Sequence, residues 1–176
     1  MPTTVAIPRP APTEHLPYYS KYIDLVPGDD ALAALEKQMA DSLALLRTVP
    51  ESKGEHRYAP GKWSIKETLG HLIDVERIFA YRALRFARAD ETSIPGFDEN
   101  TYVPPGHFDR RTLADLIQEW ALVREANLHL FRALDGDAWR RGGKANDAFV
   151  TVRALAWIIA GHGLHHTELI RTRYLA

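Results

Sequence analysis

The chain has 176 residues, enough for one domain with a sizeable core. Hydrophobic residues make up 45% and charged residues 26%, as in an ordinary globule, and a net charge of −1 with no clustered basic stripe argues against nucleic acid or an anionic membrane as partner. There is no cysteine, which removes disulfides, thiolate ligands and an internal thiol nucleophile, so any metal site must be built from His, Asp and Glu.

Residues 1–28 carry Pro2, Pro8, Pro10, Pro12, Pro17 and Pro27 and read as an extended arm. Tyr18, Tyr19, Tyr22 and Ile23 give it something to dock with, either the rest of the chain or a second subunit. The N-terminal stretch shows no secretory pattern and no apolar run approaches the ~20 residues of a membrane span, so a cytoplasmic protein is expected.

Residues 29–176 read as one helical bundle. The first helix is expected over 29–49, with Leu32, Leu35, Met39, Leu43 and Leu46 at spacings of three and four. The second is expected over 64–89, opened by a capping box at Ser64 and Glu67, with Ile65, Leu69, Leu72, Phe79, Ala83 and Phe86 on its stripe. The third is expected over 109–134 with Asp109 as N-cap, and Leu113, Leu116, Ile117, Trp120, Phe131 and Leu134 facing inward. The fourth is expected over 151–173. No strand pattern and no repeat is evident. Four long amphipathic helices point to a four-helix bundle. The connection over 90–108 is long enough to let the second and third helices run parallel.

The fourth helix holds the main chemical signal. Val152, Leu155, Ile158, Ile159, Leu169 and Ile170 form its apolar stripe, and His162 and His166 fall inside that stripe. They stand one turn apart, so both imidazoles can reach one point. Burying two imidazoles brings nothing unless something satisfies them, and a divalent metal does. Water or carbonyl partners are the bland alternative. His71, at the edge of the second helix's stripe, is a candidate third ligand, and antiparallel packing would bring all three to one level. His165 sits off the stripe centre as a rim residue or a support to the ligands. Gly70-His71 and Gly161-His162 repeat one dipeptide; a mid-helix glycine costs about 1 kcal/mol against alanine, which close helix approach around a metal would explain.

Other polar residues intrude on apolar faces. Glu76 lies mid-stripe on the second helix, and Arg124 and Asn127 lie within the third helix's face. A buried lone charge is expensive, so Glu76 and Arg124 are expected either to pair beside the site or to reach solvent at the bundle ends. In the 90–108 segment, Asp98, Glu99, Asn100 and Tyr102 are candidates to cover a pocket mouth, one carboxylate orienting a ligand histidine or acting as a base. An ordinary solvated loop is the alternative. Arg82, Arg85 and Arg88 read as a solvated helix face. No P-loop, dinucleotide-binding glycine pattern, HExxH or G-x-S-x-G occurs.

The blocks WSIKETLGHLIDVERIFAYRALRFARAD at 63–90, GFDENTYV at 96–103 and VRALAWIIAGHGLHHTELIRTRYL at 152–175, with YIDLVPGDD at 22–30, resemble the DinB-like superfamily, in particular its YfiT/bacillithiol-transferase branch. The resemblance implies an up-down-down-up bundle and one divalent metal, commonly nickel or zinc, on His71, His162 and His166. It also implies a homodimer and a small-molecule substrate. Known activities of that superfamily include thiol transfer with bacillithiol and isomerisation with mycothiol. The leading expectation is therefore a metal-dependent transferase that activates a low-molecular-weight thiol for attack on an electrophile. Metal-dependent hydrolysis by a bound water, with Asp98 or Glu76 as base and Tyr102, Asn100, His165 and Arg124 nearby, is the second. A non-catalytic metal-binding or stress-associated module is the third.

Overall fold

The computed structural model describes residues 6–176; Pro2 and the rest of the first five positions of the expected arm lie outside them. From residue 6 the arm is not simply extended. Its prolines open short helical turns instead of excluding them. Pro12–Glu14 and Pro17–Tyr19 are 3₁₀ turns that begin on a proline, whose fixed φ and missing N–H suit a first helical position. The helix α1, Ser20–Ile23, follows directly.

The arm docks on its own chain. Ile7 N–H donates to Asp30 Oδ1 at 3.0 Å, the Trp157 indole donates to the Pro8 carbonyl at 3.1 Å, and Glu14 pairs with Arg153 while accepting from the Thr151 hydroxyl at 2.8 Å. Tyr22 and Ile23 are buried against the last helix.

Four long helices form the body. In α2, Ala31–Leu46, the Asp30 carboxylate caps the free N–H of Leu32. In α3, Ile65–Ala87, the Ser64–Glu67 capping box forms as expected. The connection to the third long helix contains the short α4, Glu99–Gly106. That third helix, α5, spans Leu113–Arg132 and is capped by Thr112, whose hydroxyl accepts from Asp115 N–H. Asp109, the expected cap, sits one turn earlier in a 3₁₀ turn, Phe108–Arg110. Thr112 wins because it immediately precedes the first inward apolar residue, Leu113.

After the short α6, Gly136–Arg140, comes a hairpin that periodicity did not disclose: β1, Gly142–Ala145, antiparallel to β2, Ala148–Thr151. Four-residue strands, one beginning Gly-Gly, carry too little pattern to register. The signal lay in the two-residue turn Asn146-Asp147, both residues with positive φ (51° and 60°), as a primed hairpin turn requires. The chain ends in α7, Val152–Leu169, and a π-helical turn, Ile170–Tyr174.

Around the bundle the order is α2, α7, α3, α5. The Tyr174 hydroxyl donates to the Trp63 carbonyl at 2.7 Å, so α7 ends where α3 begins and the two are antiparallel. Glu76 on α3 meets Arg124 on α5, each eleven residues after its helix start, so those two run parallel. Leu43 and Leu46, ending α2, pack with Ile65 at the start of α3. The topology is therefore up-down-down-up, and the 88–112 crossover is the connection that permits it.

The core has two halves. One gathers the arm, α1, the hairpin and the first part of α7; the other gathers the first turns of α3 and α5 with the end of α7. Every long helix changes halves through polar residues: Gln38 and Ser42 on α2, His71 and Glu76 on α3, Arg124 and Asn127 on α5, His162 and His166 on α7. A polar layer thus crosses the bundle at mid-height.

Candidate metal centre and adjoining cavity

His71 lies in the second turn of α3, and His162 and His166 lie one turn apart on the antiparallel α7. All three are buried, and their available ring nitrogens lie within 4.8 Å of one another. His162 Nε2 stands 3.1 Å from His71 Nε2 and 3.1 Å from His166 Nε2. Burial holds His71 neutral, its pKa pushed down to about 4, with the neighbouring His165 adding to the effect. Burial first, and the other imidazoles next, hold His162 and His166 well below the usual histidine range.

Hydrogen bonding among the rings does not satisfy this cluster. One imidazole nitrogen carries either one in-plane lone pair or one hydrogen. His162 Nε2 faces two partners and can complete a bond to only one. His166 Nδ1 is buried with no partner at all. A cation at the common point would take a lone pair from each ring. With metal–nitrogen bonds of ~2.0–2.1 Å, ligand nitrogens stand about 2.9 Å apart at right angles and about 3.3 Å apart in a tetrahedron. The observed 3.1 Å lies between these values. Three neutral nitrogen donors also suit a borderline divalent ion.

His71 and His162 reach the wall of a cavity of about 320 Å³, whose other walls include Tyr18, Tyr19, Tyr22, Val75, Phe79, Arg82, Phe97, Glu99 and Asn146. The 90–108 segment does approach the mouth, through Glu99. Asp98 instead turns its carboxylate to the Asn100 N–H as the N-cap of α4, and Asn100 donates its side-chain amide back to the same oxygen. Tyr102 is exposed and packs on Phe97 at 5.2 Å between ring centroids. His165 is exposed and edge-on to Tyr22 and to His166, but it is not part of this cavity's wall.

Glu76 and Arg124 do pair, but not in the cavity wall. Arg124 Nε and Nη2 grip the two carboxylate oxygens at 2.5 and 2.8 Å, and its remaining nitrogen reaches the Leu35 carbonyl and Gln38 Oε1. Gln38 donates to Ser42 at 2.7 Å, Ser42 meets Thr167 at 2.8 Å, and Thr167 donates to the Gly163 carbonyl. The pair is thus tied to the α7 backbone between its two histidines, without touching the space beside them.

Residues 34–170, most of the chain, match the DinB superfamily. The chain belongs to the DinB superfamily. Among solved structures it resembles YfiT from Bacillus subtilis, described as a probable metal-dependent hydrolase with an unusual four-helix bundle topology, at 18% identity and a TM-score of 0.71 over 93% of this chain and 91% of YfiT. It also resembles the mycothiol-dependent maleylpyruvate isomerase, at 16% identity and a TM-score of 0.64 over 78% of this chain and 58% of that one. At these identities the likeness shows a shared fold. No curated protein matches the chain in sequence.

Within this DinB bundle the paired glycines have two different causes, only one of them the close helix approach that was expected. A Cβ on Gly161 would run into the Tyr22 backbone carbonyl, and one on Gly70 would run into the Phe108 ring. Gly161 admits the backbone of a neighbouring helix, α1, as close helix approach requires, whereas Gly70 admits an aromatic side chain. Arg82 departs furthest from the solvated position expected of it. The Arg82-Arg85-Arg88 spacing resembles a wet face, yet Arg82 is 3% exposed and lines the cavity. Arg85 does face outward, pairing with Asp90. Arg82 lies eleven residues, three full turns, after His71, and that register was the available signal.

Proposed function

We propose that this chain is a metal-dependent enzyme of the cytoplasm in which His71, His162 and His166 hold one divalent ion, nickel or zinc in the first instance. The observation that carries the reading is the convergence of three buried, neutral imidazoles beside a cavity of small-molecule size. A divalent ion held by neutral ligands keeps its full charge and lowers the pKa of a thiol or water toward neutrality. The reaction we favour is transfer of a low-molecular-weight thiol to an electrophile.

The chain's own residues support a nucleophile supplied from outside. There is no cysteine. Glu76 is fixed by Arg124, and Asp98 is spent on capping α4, so neither carboxylate expected to serve as a base faces the cavity. The aromatic wall of Tyr19, Tyr22 and Phe79 would hold an apolar substrate body and keep water away from the histidines. Hydrolysis is the second reading, favoured by the Glu99 carboxylate in the same wall and by the description of YfiT.

The test starts with elemental analysis of untagged, as-purified protein beside a His71→Ala, His162→Ala, His166→Ala variant. About one nickel, zinc, iron or manganese per chain is expected, and none in the variant. The loaded protein is then mixed with thiols and 1-chloro-2,4-dinitrobenzene, and separately with thiol-free esters. Thiol-dependent turnover supports transfer, and thiol-independent cleavage supports hydrolysis. No metal in either protein, and none taken up on reconstitution, would remove the proposal.

A further inference from the structure

Two arginines are buried deep in this bundle, and only one has a counter-charge. Arg124 is 1% exposed and grips Glu76 with two nitrogens. Arg82 is 3% exposed, yet it forms no ion pair among the described residues. Its Nη2 donates to the Pro95 carbonyl at 3.2 Å, and its Nε–H is buried with no acceptor. The Phe79 and Phe97 rings lie 5.2 and 5.8 Å from the guanidinium carbon. Those rings offer their π faces to the cation but bring no anion. Glu99 lines the same cavity without closing on it. Burial also pushes the Arg82 pKa down, and the Tyr19 phenol beside it offsets this only in part. A chain that pairs one buried guanidinium and leaves another unpaired at a cavity wall has left a place for an anion.

The register of α3 says where that anion sits relative to the histidines. His71, Val75, Phe79 and Arg82 fall on one face, at offsets of four, eight and eleven residues, and all four line the cavity. Arg82 is about 16 Å farther along the helix axis than His71, and its long side chain leans back toward the helix start. On α3 itself the wall between them is apolar, formed by Val75 and Phe79.

We propose that Arg82 recognises a carboxylate on the substrate, with the apolar body of that molecule lying along Val75 and Phe79 and its reacting end at the histidines. The inference rests on reading this cavity as the substrate site. It narrows the substrate class to carboxylate-bearing molecules with an apolar middle. Arg82 is here a binding and positioning residue, reached by the substrate at the end away from the chemistry.

The test is calorimetric titration of 4-phenylbutyrate, its uncharged amide and 3-phenylpropyl phosphate into the as-purified and the metal-stripped protein. The acid is expected to bind about 10- to 100-fold more tightly than the amide, the range of a charge-assisted hydrogen bond. Arg82→Met should abolish that preference, leave metal content unchanged and keep or raise the melting temperature, because an unpaired buried charge is removed. Arg82→Lys keeps the charge without the planar fork and should fall between the two. Equal binding of acid and amide, no binding of the acid, or a preference that survives Arg82→Met would overturn the proposal. Tighter binding of the phosphate ester would overturn its choice of carboxylate. Acid preference in the metal-stripped protein would sustain it even if the metal reading failed.

Discussion

A single side chain can be buried with its charge only if something answers that charge, and Glu76 shows the rule at work. At 4% exposure it accepts from Arg124 Nε and Nη2 and from the Asn127 amide at 3.3 Å. Arg124→Met leaves a lone carboxylate inside the bundle and is expected to cost about 3–5 kcal/mol. Glu76→Gln/Arg124→Met together should cost less than the sum of the two single losses, by about 0.5–3 kcal/mol. Urea denaturation of the four proteins measures this, and additive losses would break the assignment. Position on a helical stripe narrowed Glu76 and Arg124 to two outcomes, a pair or an escape to solvent at the bundle ends, and their burial decides for the pair. It did not reveal that the pair turns away from the cavity, since that depends on Gln38, Ser42 and Thr167, three polar residues that look ordinary in the sequence. Arg82 failed for the opposite reason. Its neighbours Arg85 and Arg88 are solvated, and a run of like residues conceals the one whose helical phase differs.

At the scale of elements, long periodic helices were legible to within a few residues, because their stripes repeat over many turns and their caps are chemically distinct. The short elements were not. The arm's 3₁₀ turns, α1, α4 and the hairpin are too brief for a period to emerge, and tertiary contacts hold them. Tyr22 illustrates this, since α1 has only four residues yet its backbone carbonyl packs into the gap over Gly161 on α7. Gly161→Ala would gain helix propensity of about 1 kcal/mol, but the new methyl meets backbone that cannot rotate away. We expect net destabilisation of about 1–3 kcal/mol, as for other overpacked sites. We also expect loss of the Tyr22 wall beside His162, which it meets edge-on at 5.3 Å between ring centroids. Chemical denaturation gives the first quantity, and Tyr fluorescence or proton–deuterium exchange over 18–26 gives the second. A stabilised variant with unchanged exchange there would show that α1 is not seated as described.

At the scale of the whole molecule, the polar layer makes stability depend on pH. In the unfolded chain each histidine takes up a proton near pH 6.5. In the folded chain His71 stays neutral down to about pH 4, and burial holds His162 and His166 well below the usual histidine range as well. Between these limits the unfolded state binds more protons, so stability rises with pH and is lost as pH falls from about 6.5 toward 4. His71 alone is expected to contribute a loss of about 3 kcal/mol once the pH is below its folded pKa. A bound divalent ion would add its own stabilisation at pH 7, since it binds the folded ligand set and not the dispersed histidines of the unfolded chain. That increment should shrink through the same window, because protons and metal compete for the same lone pairs. Melting temperatures of metal-loaded and metal-stripped protein, followed from pH 8 to pH 4, are therefore expected to diverge at neutral pH and converge below about pH 5. The His71→Ala, His162→Ala, His166→Ala variant should show one curve regardless of metal, with a weaker acid dependence. Parallel curves for loaded and stripped wild-type protein across the whole range would place the metal elsewhere than on the three histidines.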